Sequence, residues 1–76
     1  MSYAELPLEN IILDILKKKQ KISEKELINE LKKLSQDYSI REIYRVLMVL
    51  ELFEKVIVLS QKEGKIIMLR DQKHGG

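Results

Sequence analysis

An α+β fold, three helices followed by a two-stranded hairpin, is predicted by three observations. Apolar residues recur at helical spacing between residues 8 and 16, 27 and 34, and 40 and 50, giving three amphipathic stripes. The period then changes. Val56-Ile57-Val58-Leu59 and Ile66-Ile67-Met68-Leu69 are short apolar runs, β-branched except at their ends, on either side of a polar, basic stretch with Gly64 at a turn position. The junctions carry caps and turns rather than linkers, and no internal repeat is visible. Residues 1–76 therefore read as a single domain, with about 7–70 an ordered core and 71–76 a polar, flexible tail. A plain four-helix bundle is the main rival. The β-branched content and Gly64 argue against a fourth helix.

Taken in order, residues 1–6 show no periodic signal, and Pro7 suits the first helical position, where its missing N–H costs nothing. Leu8, Ile11, Ile12, Ile15 and Leu16 form the first stripe. Lys17, Lys18 and Lys19 close that helix with charges that suit its C-terminal dipole, and their plainest role is a solvated helix end. Lys21-Ile22 reads as a short extended link. Ser23 with Glu26 is a capping-box pattern, and Leu27, Ile28, Leu31 and Leu34 are the second stripe. Ser35-Gln36-Asp37-Tyr38 is a polar turn. Ser39 with Glu42 is a second capping box, opening a helix over residues 39–52. In it Ile40, Ile43, Leu47 and Leu50 mark the buried side. Arg41, Tyr44, Arg45 and Met48 fall opposite, with Glu42 at their edge. Two short helices joined by a polar turn make a helix-turn-helix candidate. With the hairpin behind them the order is that of a winged helix-turn-helix, the third helix for recognition and the hairpin as wing.

Composition removes several classes. The absence of cysteine excludes disulfide staples and cysteine-based zinc sites, so packing or oligomerisation must support a domain this small. No run approaches the roughly 18 apolar residues of a membrane span, and no signal-peptide pattern precedes Pro7, so a cytoplasmic protein is expected. Abundant Lys, Glu and Ile with scarce Gly and Pro points toward heat adaptation. There is no cysteine nucleophile, Gly-rich phosphate loop or metal-ligand spacing, so neither an enzyme nor a cofactor is expected. His74 sits in the tail. Gly75-Gly76 has a counterpart in ubiquitin-like modifiers, but those begin with a hairpin and this chain begins with a helix.

The net charge of +2 decides little, and the grouping of charges matters more. Arg41 and Arg45 lie one turn apart. Both can enter a groove, where Arg reads guanine O6 and N7 or grips phosphate; the plain alternative is a salt bridge with Glu42 or another acid. Tyr44 can touch a thymine methyl or a phosphate, or pack its ring on the second helix. Ser39 caps its helix and can offer its hydroxyl and N–H to a phosphate. Lys62 and Lys65 at the hairpin tip can reach the backbone, and Lys25 near the start of helix two can meet a phosphate. Lys32 and Lys33 read as solvated. Double-stranded DNA is the partner these residues point to.

The run Tyr38-Ser39-Ile40-Arg41-Glu42-Ile43-Tyr44-Arg45-Val46-Leu47 resembles the recognition helix of ferric-uptake-regulator-type winged helices, with Ser39, Ile40, Ile43, Tyr44, Arg45 and Leu47 fitting the pattern. Residues 50–57 are similar to the approach to the wing in many winged-helix regulators. The resemblance implies DNA-facing roles for Tyr44 and Arg45. Glu42 replaces a Thr of that family and Lys55 a Gly. Its metal-binding dimerisation domain has no counterpart here, so no metal site is carried over.

Apolar residues remain in surplus. Met48, Val49 and Leu52 fall off the buried stripe of helix three, Leu13 off that of helix one, and the hairpin is apolar on both faces. A homodimer or a protein partner would cover them. A DNA-binding dimer must leave Arg41, Tyr44 and Arg45 free and set its recognition helices about 34 Å apart. The rival to a small transcriptional regulator is a winged helix used for protein–protein contact in a transcription or replication assembly.

Overall fold

The computed structural model describes residues 7–34 and 38–70. Residues 1–6, the middle of the expected polar turn (35–37) and the tail with His74 and Gly75-Gly76 (71–76) lie outside the described residues. The chain runs α1 (Leu8–Lys19), β1 (Lys21–Ser23), α2 (Glu24–Lys33), α3 (Ile40–Leu52), β2 (Val56–Gln61) and β3 (Gly64–Leu69). Three helices and an antiparallel sheet thus make an α+β domain. Among the described residues no helix is long and apolar enough to cross a membrane.

Each helix begins where its sequence supplies a cap. Pro7 stands one position earlier than expected, as the N-cap of α1, and its carbonyl accepts from the N–H groups of Asn10 and Ile11. Ser23 caps α2, its Oγ accepting from the Glu26 N–H at 3.1 Å. Ser39 caps α3 with the full reciprocal box. Its Oγ accepts from the Glu42 N–H at 3.1 Å, and its own N–H donates to Glu42 Oε1 at 3.3 Å. Ser39→Ala removes one half of that exchange. It is expected to cost about 1 kcal/mol, read as a fall of about 4–8 °C in the melting midpoint.

The sheet corrects the sequence-based expectation of a two-stranded hairpin. Lys21-Ile22, expected as a link, forms with Ser23 a third strand. Strand β3 lies between the other two, with Ile22 opposite Ile67 on one side and Val58 opposite Ile67 on the other. A strand of three residues with one buried side chain carries no periodicity of its own, and its conformation is set by the partner it meets. Gln20 makes the sharp junction before it, at φ 70, and its N–H donates to the Leu16 carbonyl. On the other side Gln61 pairs with Gly64 across the loop Lys62-Glu63, and Gly64 takes φ +131, a value that strains any L side chain. The turn out of α3 puts its left-handed residue at Glu54 (φ 59), one position before Lys55, where the resemblance had marked a Gly.

The core forms where the three apolar stripes meet one face of the sheet. Ile11, Ile12 and Leu16 of α1, Leu27 and Leu31 of α2, Ile43, Leu47 and Leu50 of α3, and Ile22, Val56 and Ile67 of the sheet are all buried. Two expectations fail at this level. Ile40 is 50% exposed, since the first residue of α3 stands at the helix end, beside its cap. Leu13 is half-buried and packs against the core, so it adds nothing to the surplus. The remaining surplus is real. Met48, Leu52, Phe53 and Leu59 are exposed, and Ile57, Ile66 and Met68 are half-buried on the sheet face turned away from the core.

Candidate nucleic-acid interface

Helix α3 is held from behind by Ile43, Leu47 and Leu50, which fixes what its other side presents. Arg41, Arg45, Met48 and Leu52 follow one another at helical spacing along the outermost stripe, and all are exposed. Neither arginine makes an ion pair or side-chain hydrogen bond with another described residue. Glu42, the acid nearest to both in sequence, is turned back into the capping box at Ser39. Among the described residues, the two guanidinium forks thus have no acidic partner and lie one turn apart.

On one flank of that stripe α3 and the sheet enclose a groove of about 380 Å³, lined by Tyr44, Leu47 and Met48 from α3 and Val58, Lys65 and Ile67 from the hairpin. Two acids line it as well, Glu24 and Glu51. Tyr44 is partly exposed here. Its hydroxyl meets the Glu24 carboxylate at the start of α2, and that hydrogen bond, with smaller contributions from desolvation and from the charge of Glu24, raises the phenol's pKa above its ordinary value. Tyr44 stays 43% exposed. Glu24 and Glu51 make this flank acidic, while the Arg41–Arg45 stripe beside it is basic.

A second concavity of about 520 Å³ lies between the start of α2 and the hairpin, lined by Ser23, Glu24 and Lys25 on one side and Gln61, Glu63, Gly64 and Lys65 on the other. It brings Lys25 and Lys65 together, as the sequence could not show, because β1 pairs with β3 only as far as Ser23 opposite Ile66 and so starts α2 beside the loop. Lys65 borders both concavities. Lys62 is exposed in the loop and Ser39 is exposed at the cap of α3, and neither lines either concavity. Sequence reasoning missed Glu24 and Glu51. Glu51 could have been found, three residues after Met48 and seven after Tyr44 on one helix side. Glu24 could not, since its place beside Tyr44 is tertiary. Among the described residues no group of three His, Cys, Asp or Glu side chains is placed to hold a metal ion.

Comparison with protein families, with curated proteins and with solved structures returns no significant match.

Proposed function

We propose that this chain is a winged helix-turn-helix that binds duplex DNA as a small transcriptional regulator, with α3 in the major groove and the β2–β3 tip against the backbone. The element order and the sheet order β1-β3-β2 support the fold reading. The observation that carries the function is the pair of exposed guanidinium groups of Arg41 and Arg45 on the outer stripe of α3, which have no acidic partner among the described residues. Ser39, Lys25, Lys62 and Lys65 supply the phosphate contacts around them. A twofold dimer that leaves α3 free would present two copies to a palindromic site.

A titration of duplex binding against salt tests this reading. Each phosphate neutralised should add about 0.9 to the negative slope of log affinity against log salt, so contacts from both arginines and from Lys25, Lys62 and Lys65 give a slope of about −4.5. No binding at low salt would instead favour a protein-assembly module. The observation on that side is the exposure of Met48, Leu52 and Phe53 at the C-terminal end of α3. An interface burying Met48 and Leu52 along α3 would close the helix to DNA.

A further inference from the structure

Five cations that the function above does not use are gathered at the end of the sheet farthest from the hairpin loop. Lys17 and Lys19 at the end of α1 and Lys21 at the start of β1 surround a concavity of about 670 Å³, floored by Leu16, Met68 and Leu69. The strand register adds two more. Lys21 is opposite Met68, which is opposite Ile57, so all three side chains stand on the outer sheet face. Arg70 is two residues beyond Met68, and Lys55 is two before Ile57. Lys55 directly precedes β2 and Arg70 directly follows β3, and the Arg70 N–H donates to the Lys55 carbonyl at 2.9 Å, extending the ladder by one step.

The helix dipole accounts for Lys17 and Lys19 but not for Lys21, Lys55 or Arg70, which come from three other segments. Lys55 and Arg70 are moreover directly opposed across the ladder, an arrangement that repels when nothing lies between the charges. Glu26 lies 3.8 Å from Lys19, and Asp14 lies 3.5 Å from Lys18. All five cations are exposed. Six residues of β2, about 17 Å at 3.4 Å per residue, separate this end from the loop that carries Lys62. Arg41 and Arg45 lie on the N-terminal half of α3, in the layer behind the other sheet face.

We propose that this base cluster is a second, sequence-independent binding surface for the backbone of duplex DNA, so that one molecule joins two duplexes. The ligand must be an extended polyanion, because the charges spread across the end of the sheet instead of converging on one point, and lysine grips phosphate without reading bases. This inference rests on the reading of α3 as the first DNA surface, but it is tested separately.

The experiment immobilises one duplex on beads and measures capture of a second, labelled duplex by the full chain at low salt, alongside binding to a single short duplex. The expected result is capture by the natural chain, a loss of tenfold or more with Lys21→Glu/Arg70→Glu, and little change in the affinity of that variant for a short duplex bound through α3. Lys17→Ala/Lys55→Ala, which introduces no new charge, should show the same direction with a smaller loss, and circular dichroism should show both variants folded. Capture that is undiminished in both variants overturns the proposal, since a dimer joined elsewhere would then explain it. Absence of capture by a chain that binds one duplex well overturns it too. If Arg41→Ala/Arg45→Ala leaves binding unchanged while the base variants abolish it, the base surface stands and the α3 reading falls.

Discussion

Ile67→Ala is expected to remove about half of the domain's folding free energy. Ile67 is wholly buried on the middle strand, with Ile22 opposite on one side and Val58 on the other. Truncating such a side chain costs about 2–5 kcal/mol, transfer and cavity together. A domain of 76 residues has about 4–11 kcal/mol in all, at 0.05–0.15 per residue. Urea unfolding followed by circular dichroism should show the midpoint falling by about half. Ile66→Ala is the control. Its side chain is half-buried on the other sheet face, so it should cost much less. Equal losses at 66 and 67 would mean that the register of the sheet is wrong by one residue.

The second large effect is on binding. Arg41→Ala/Arg45→Ala should lower duplex affinity at least tenfold, and by about 1–3 kcal/mol for each arginine that reads a base bidentately. The melting temperature should stay where it is, because both side chains are exposed and off the core. The salt slope separates the two kinds of contact. A slope less negative by about 0.9 per arginine marks phosphate contacts, whereas an unchanged slope with lost sequence preference marks contacts to base edges. A double variant that unfolds would put the arginines in a structural role and leave the α3 reading without its carrier.

How much of this was legible beforehand depended on whether a feature is local. The three helices follow from apolar spacing within ten to fifteen residues, and the Ser39–Glu42 box from two residues three apart. The hairpin was visible through its β-branched runs and Gly64. Strand β1 was not, because Lys21, Ile22 and Ser23 become a strand only through residues 66–68, more than forty positions away. Ile40 has the right spacing for the buried stripe and still faces solvent, since periodicity gives direction around a helix and not what waits at its end. At the site, Arg41 and Arg45 could be placed on one side of α3, but their freedom from acids depended on how Glu42 bonds. The approach of Glu24 to Tyr44, and of Lys55 to Arg70, is a matter of tertiary pairing alone.

The position of β3 has a consequence for how the chain reaches this state. The strand that comes last in sequence is the one in the middle of the sheet. Until residues 64–69 are in place, β1 and β2 share no hydrogen bonds, and neither edge has anything to template it. The helices can form and fray in microseconds, but pairing β1 with β3 closes a loop of more than forty residues, which puts an entropic barrier late on the route. Folding should therefore be a single all-or-none event gated by the arrival of β3. A chain stopped anywhere before residue 64 would populate transient helices with an exposed apolar stripe, and no stable half-domain.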